Sequence, residues 1–152
     1  MLVGVVSDTH GLLRPELVKG LRGVDHILHA GDVGDERVLR QLRAIAPVSA
    51  VRGNTDVGTW SLHLPETAEV RLAETRIYLI HDLARLRFDP QEDGLQVVIH
   101  GHTHRARIEW RDDLLVLNPG SAGPRRFDLP ITWARLRLGR GRPTVRIVKI
   151  AG

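Results

Sequence analysis

The chain opens on a valine-rich run, LVGVVSD (2–8), in which apolar residues give way to Ser7 and Asp8. Such a run reads as a strand buried on both faces whose C-terminal end carries the polar chemistry. PELVKGLRG follows with helical spacing, Pro15 at a starting position and Gly23 as a stop. DHILHAGD (25–32) reads as a second strand ending in Gly31–Asp32. Asp35 is placed to N-cap ERVLRQLRAI, where Val38, Leu39, Leu42 and Ile45 form an apolar stripe. PVSAVRGNTD (47–56) reads as a third strand ending in Gly53–Asn54. The order strand–helix–strand–helix–strand predicts a parallel sheet with right-handed crossovers.

The second half keeps a different rhythm. ETAEVRLAETRIYLIHD reads as two strands around a turn at Ala73–Glu74, and LARLRFDPQED as a short helix or loop. LQVVIHGHTH is a strand running into histidines. ARIEWRDDLLVLNPGS reads as a hairpin turning at Asp112–Asp113, then a Pro-Gly turn. ITWARLRLGRGRPTVRIVKI alternates as a C-terminal hairpin around Gly139–Gly141. No internal repeat, linker or low-complexity segment interrupts the pattern. The expected fold class is α/β (α+β): two stacked mixed β-sheets flanked by helices in four layers, αββα, as a single domain over residues 1–152.

Composition narrows the chemistry. A length of 152 residues, 42% hydrophobic and 26% charged, suits one globular domain with a real core. No apolar run approaches the roughly 18 residues of a membrane span. The N-terminus lacks a basic region and a small-residue cleavage site, so a cytoplasmic protein is expected. With no cysteine, any metal must be held by His, Asp, Glu, Asn or backbone oxygen. The net charge is +4, and Lys19 and Lys149 are the only lysines among 22 basic residues. Aromatics make up only 4%, too few for the stacking platforms of a nucleic-acid binder, and no nucleic-acid or membrane partner is expected.

The strand ends share one property: each carries metal-ligand chemistry. The first ends in Asp8-x-His10, the second in Asp32, the third in Asn54, IYLIHD in His81, and VVIHGHTH in His102-x-His104. In open α/β sheets, sites form beyond the carboxyl ends of the strands. Gly31, Gly53 and Gly101 sit beside these residues, where a missing Cβ permits a sharp exit and close backbone approach. In extended chain His100, His102 and His104 share one face; Gly101 is expected to break the register and leave His100 behind the ligands. His29 is expected as a packed or supporting histidine, and His26 and His63 as surface residues. Trp60, Trp110 and Trp133 are expected in packing or an oligomer contact.

SDTHG, HAGD, RGNTD, IH and HGHTH, followed in that order by NPGS, resemble the calcineurin-like metallophosphoesterases, and most closely the small single-domain phosphodiesterases of bacteria and archaea. The resemblance runs from Asp8 to about Arg126. It implies a dinuclear metal centre that hydrolyses small phosphodiesters through a metal-bound hydroxide. Asp8, His10, Asp32 and His104 resemble the ligands of one metal, and Asp32, Asn54, His81 and His102 those of the other, with Asp32 bridging. Asp32, Asn54 and His81 carry over as catalytic residues. Thr55 is a candidate substrate contact, and Arg125 or Arg126 a candidate fork for a substrate phosphate, with a solvated surface pair as the alternative. Mixed carboxylate, amide and imidazole ligands suit Mn²⁺ first, with Ni²⁺, Fe²⁺ or Zn²⁺ as alternatives, rather than Ca²⁺. Small relatives form dimers or larger assemblies, so a homo-oligomer is compatible with the resemblance.

Two positions depart from the family pattern. Thr55 stands where the family often has a histidine that protonates the leaving group. Asp82 stands where a small residue commonly follows His81, turned outward or adding a charge at the site. Two alternative functions share the fold: a non-catalytic metal-binding scaffold for protein partners, and a nuclease. The complete ligand set argues against the first, and the absence of a DNA-binding addition against the second.

Overall fold

The structure, a computed structural model, describes residues 1–150; Ala151 and Gly152, the end of the expected domain, lie outside the described residues. Its strands are β1 (Leu2–Val6), β2 (His26–His29), β3 (Val48–Ala50), β4 (Thr67–Leu72), β5 (Thr75–Ile80), β6 (Val97–Ile99), β7 (Arg107–Arg111), β8 (Leu114–Asn118), β9 (Thr132–Arg137) and β10 (Thr144–Lys149). Two helices, α1 (Pro15–Gly20) and α2 (Glu36–Arg43), separate the first three strands.

The strands form two five-stranded mixed sheets, β10-β9-β1-β2-β3 and β4-β5-β6-β8-β7. β1, β2 and β3 pair in parallel, as do β5, β6 and β8, while the outer pairs are antiparallel. The architecture is the expected pair of stacked mixed sheets.

Strand alternation explains the stacking. Val3 and Val5 of β1 face inward with Leu28, Ala134 and Leu136, and meet Ile77, Leu79, Val97, Ile99, Leu115 and Leu117 of the second sheet. Val6 and Ile27 face outward and pack under Leu17 of α1, Leu21 at its C-cap, and Val38, Leu39 and Leu42 of α2. The first sheet is therefore apolar on both faces, which is why its central strands read as continuous apolar runs. Asp35 caps α2 as expected, its side chain accepting from Arg37 N at 2.9 Å.

The outer layers are unequal. α1 and α2 both lie on the first sheet, whereas Val98, Leu114 and Val116 of the second sheet are covered by Leu83, Leu86 and Leu95 from a loop with one 3-10 turn, Leu83–Arg85. The third strand is shorter than its sequence pattern, and residues 51–56 turn into loop. Beyond them a second 3-10 turn, Thr59–His63, occupies a stretch whose pattern assigned no element. The turn at Ala73–Glu74 has both residues at positive φ, 47° and 63°, matching the right-handed strand twist. Trp133 is buried against Gly20, Trp60 packs at the edge of the helical core, and Trp110 lies under the Arg142 guanidinium at 3.7 Å. His63 is exposed as expected. His26 is not a surface residue: it is half-buried, and its Nε2 lies 2.9 Å from Ser49 Oγ across the β2–β3 pair.

His29 ends β2 fully buried and pins the neighbouring loops. Gly31 N donates to its Nδ1 at 3.1 Å, so the ring proton sits on Nε2 and donates to Thr9 Oγ1 at 3.0 Å. The Thr9 hydroxyl passes its own proton to Val33 O at 2.9 Å. Burial pushes the imidazole down to about 4, and a proton on Nδ1 would also face the Gly31 N–H. Because the folded-state pKa lies below the ordinary 6.5, the unfolded chain takes up a proton first as pH falls. The stability carried by neutral His29 is complete above about pH 6.5 and lost progressively toward pH 4, roughly 3 kcal/mol in all. Denaturant unfolding of chelator-treated wild type and His29→Gln from pH 7.5 to 4.5 checks this. The stability gap between the two should shrink on acidification, and a gap that stays constant would refute the assignment.

Candidate metal centre

The C-terminal ends of β1, β2 and β3 open toward the ends of β5 and β6, and the expected residues meet along this seam. Asp8 follows β1, Asp32 follows β2, Asn54 follows β3, His81 follows β5, and His102 and His104 follow β6. Asp8, Asp32, His81 and His104 are buried, His10 is half-buried, and Asn54 and His102 are exposed at the mouth.

The two carboxylates are held in the same way. Asp8 Oδ2 accepts from Ser7 Oγ at 2.7 Å and from His102 N at 3.1 Å. Asp32 Oδ1 accepts from Thr55 N at 2.9 Å. Each carboxylate thus spends one oxygen on the protein and turns the other toward the imidazoles. Asp8 Oδ1 lies 3.4 Å from His104 Nε2, 3.8 Å from His10 Nε2 and 3.9 Å from His81 Nε2. Asp32 Oδ2 lies 3.1 Å from His81 Nε2 and 3.7 Å from His10 Nε2.

The histidine tautomers sharpen the picture. His81 Nδ1 donates to Ala30 O at 2.8 Å, so the neutral ring presents the lone pair of Nε2 to the carboxylates. His10 Nε2 and His104 Nε2 approach to 3.3 Å, and His102 Nδ1 lies 3.3 Å from Asn54 Oδ1. Asp8 Oδ1, His81 Nε2 and His104 Nδ1 are buried with no hydrogen bond. Without a cation such a set confronts lone pairs with anions. Burial opposes the charge of both carboxylates, yet the neighbouring donors prevail. Asp8 is lowered by His104, His81 and Ser7, and Asp32 is held below the usual carboxylate range by His81 and Thr55. The same pairing raises His81 against its burial.

Two groups of ligand atoms lie within 4.8 Å of one another: Asp8, His10 and His104, and Asp8, Asp32 and His81. The donors are two carboxylate oxygens and several imidazole nitrogens, a chemistry that fits a transition-metal dication. Asp32 Oδ2 stands between His10 and His81, where the family resemblance implies a bridge. The geometry gives Asp8 Oδ1 a similar place between the two groups, which the sequence does not suggest.

Getting these side chains together strains the backbone. Asp8, His10, Asp32, His102 and His104 all have positive φ, between 46° and 74°, and account for five of the nine such non-glycine residues described. This is the signature of a site that over-determines its residues. A Cβ on Gly53 would strike Asp32, and one on Gly101 would strike Ser7 Oγ and Asp8. Those two glycines are the contact points that let the strand ends close on the carboxylates.

Other expected residues fall outside this cluster. His100 is buried among Arg107, Arg111 and Asp82, forms no hydrogen bond to the candidate ligands, and is pushed down to about 4 by burial and those arginines. Arg125 is exposed with Nη1 3.4 Å from Leu129 O. Thr55 is exposed and serves Asp32 through its backbone N–H. Asp82 lines the mouth, half-buried, and its Oδ1 accepts from Ala84 N at 3.0 Å to cap the 3-10 turn Leu83–Arg85.

Three supports escaped the sequence reading. Asp56 accepts from Val33, Gly34 and Gly53 N at 3.1, 2.8 and 2.9 Å, tying the loops of Asp32 and Asn54 together. Asn118 is fully buried and donates to Gly101 O and Thr103 Oγ1, fixing the histidine loop. Ser121 Oγ donates to Asp8 O at 3.0 Å, which fastens the NPGS turn to the site. The signal for Asp56 was its place in GNTD, an Asx-turn context; the other two required the fold.

The mouth of the centre widens into a cleft of about 730 Å³ bordered by Asn54, His81 and His102 and by Arg52, Arg85 and Arg87. No helix among the described residues is long and apolar enough to cross a membrane.

Known proteins share this arrangement. The sequence profile of the calcineurin-like phosphoesterase superfamily domain matches residues 1–141. A probable metallophosphoesterase of Methanothermobacter thermautotrophicus is 39% identical over 133 residues, 80% of this chain and 77% of its own. A phosphodiesterase of Methanocaldococcus jannaschii is 29% identical over 139 residues, 79% of this chain and 83% of its own. Among solved structures, Chaetomium thermophilum Vps29 superposes with a TM-score of 0.78 at 20% identity over 99% of this chain and 97% of that one, a likeness of fold. With the profile spanning both sheets and an archaeal relative matching most of each chain, this protein belongs to the calcineurin-like phosphoesterase superfamily.

Proposed function

We propose that the protein is a metal-dependent phosphodiesterase acting on small phosphodiesters. The observation that carries this reading is the pair of inward oxygens, Asp8 Oδ1 and Asp32 Oδ2, faced by the ring nitrogens of His10, His81 and His104, with Asp8 Oδ1 and His81 Nε2 buried and without a hydrogen bond. Asp8, His10, Asp32 and His104 hold one divalent ion; Asp32, Asn54, His81 and His102 hold the second. Mn²⁺ is the first choice, ahead of Ni²⁺, Fe²⁺ and Zn²⁺. When bound, such ions polarise a phosphoryl oxygen and make water nucleophilic at neutral pH.

The chain's own residues do the rest. Ser7, His102 N and Thr55 N orient the carboxylates, and Ala30 O fixes the His81 tautomer. Asn54 and His102, exposed at the mouth, meet the substrate side. Water adds to phosphorus, one P–O ester bond breaks, and the departing oxygen takes a proton to leave a phosphomonoester and an alcohol. At the position where the family often supplies that proton from histidine, Thr55 offers a hydroxyl, a poor general acid near neutral pH. Esters with good leaving groups are therefore preferred. The scaffold reading draws on the Vps29 likeness, and turnover separates the two.

Two experiments test the reading. In the first, chelator-stripped protein is titrated with Mn²⁺ by calorimetry. Ser7→Ala, which deletes a donor to Asp8, should weaken binding about 10- to 100-fold, whereas His100→Asn should leave it within about twofold. Equal affinities for wild type and Ser7→Ala would remove Asp8 from the ligand set.

In the second, hydrolysis of bis-p-nitrophenyl phosphate and of a methyl alkyl phosphodiester is followed with Mn²⁺, Ni²⁺, Zn²⁺ or none. The aryl diester should be cleaved only with metal and not by His102→Ala. Thr55→His should raise the alkyl rate by about 10- to 100-fold and the aryl rate far less. No turnover with any metal, despite stoichiometric binding of two ions, would favour the scaffold.

A further inference from the structure

The cleft beside the centre is too large and too basic for a bare phosphodiester. Its volume of about 730 Å³ falls in the range of sites that enclose a nucleotide-sized ligand, about 300–1,000 Å³. Arg52, Arg85 and Arg87 line it, with Glu66 and Asp82 as the acids. Glu66 is spent on Arg52 at 3.1 Å, and Asp82 Oδ1 on Ala84 N at 3.0 Å. Arg87 is braced by Ala84 O at 2.9 Å, which leaves most of its fork unused. The Arg85 side chain has no hydrogen-bond or ion-pair partner among the described residues.

A diester carries one negative charge, and that charge belongs to the metal centre. Two further guanidiniums, from the loop that leaves His81, then face a cleft in which Asp82, held by the neutral Ala84 N–H, is the one carboxylate not paired with an arginine. Guanidinium forks match phosphate oxygens in pairs, and two of them suit a phosphate dianion better than they suit a singly charged carboxylate. No phenylalanine, tyrosine or tryptophan lines the cleft, whose character is set by its arginines.

The geometry points to Arg85 and Arg87 as a second anion subsite, and to a substrate whose retained arm carries a further phosphate monoester. This rests on the phosphodiesterase reading. The hydrolysed bond is unchanged; the subsite sets which diester is held.

Two synthetic esters isolate the subsite: thymidine 5′-(p-nitrophenyl phosphate), with and without a 3′-phosphate, assayed on the Mn²⁺-loaded protein. The 3′-phosphorylated ester should have a kcat/KM about 10-fold higher, carried by KM. In Arg85→Ala/Arg87→Ala that ratio should fall toward one. A wild-type ratio near one, or a variant that loses both substrates equally, overturns the subsite.

If neither ester is turned over, the phosphodiesterase reading has failed, and binding decides the subsite separately. Calorimetry with thymidine 3′,5′-bisphosphate should then give a Kd about 10-fold below that of thymidine 5′-monophosphate, with the difference lost in the double variant. Equal affinities overturn it.

Discussion

Two buried carboxylate oxygens, Asp8 Oδ1 and Asp32 Oδ2, lie within 4.8 Å of a shared histidine and of each other, and the architecture is organised around keeping them there. Left alone, like charges so close and so dry would neutralise by taking up protons. Here each carboxylate is fixed in its ionised form by a donor to its other oxygen. One of those donors, His102 N, comes from the opposite sheet. His81 reaches back the other way to Ala30 O. The two sheets are therefore laced at the site as well as glued by the valines and leucines between them. A divalent cation completes this arrangement more naturally than any rearrangement of protons.

The strain follows from the same requirement. A strand delivers one side chain per face every second residue, yet the centre needs Asp8 and His10, and His102 and His104, converging from short spans. Positive φ at these residues bends the chain sharply after β1, β2 and β6. Such conformations cost roughly 1–3 kcal/mol each. The core between the sheets and the bonds from Asp56, Asn118 and Ser121 offset that cost. Stability is thus stored away from the site and spent on it, in rigid loops rather than in flexible ones.

The superfamily fold leaves function to local detail. The Vps29 likeness concerns the sheets, and the sheets alone do not hydrolyse anything. What separates a hydrolase from a scaffold here is whether every strand end still bears its ligand. Under the proposed reading, the lining of the cleft sets which diester is held. Arg85 and Arg87 lie on the thin cover of the second sheet, where a loop and a 3-10 turn replace a helix. A loop can change its side chains without disturbing a helical core, which makes this side of the molecule a natural place for specificity.

Much of the protein was legible in its sequence, for a physical reason. Doubly buried strands write continuous apolar runs, and the candidate ligand residues fall where those runs stop. β1, β2, β6 and the residues Asp8, His10, Asp32, Asn54, His81, His102 and His104 could therefore be located by position alone. The Asp35 cap and the turn at Ala73–Glu74 are likewise local in origin. Other features depend on what the chain meets far along its length. His100 follows the outward face of Val98, while positive φ at His102 turns its neighbours away, and no spacing rule announces that change. His26 looks like a strand-edge surface histidine until Ser49 lies beside it. Asn118, Ser121 and Asp56 are ordinary turn residues in sequence and become braces only when their loops meet the carboxylates. Arg125 could be nominated from sequence as a phosphate contact, but only the folding of the loop after β5 brought Arg85 and Arg87 into the cleft. The sequence determined which groups exist and on which strand ends they stand, because burial and chain periodicity are local. Tertiary structure decided which oxygens, nitrogens and guanidiniums face one another, because that depends on contacts between residues as far as 113 positions apart, as Ser121 is from Asp8.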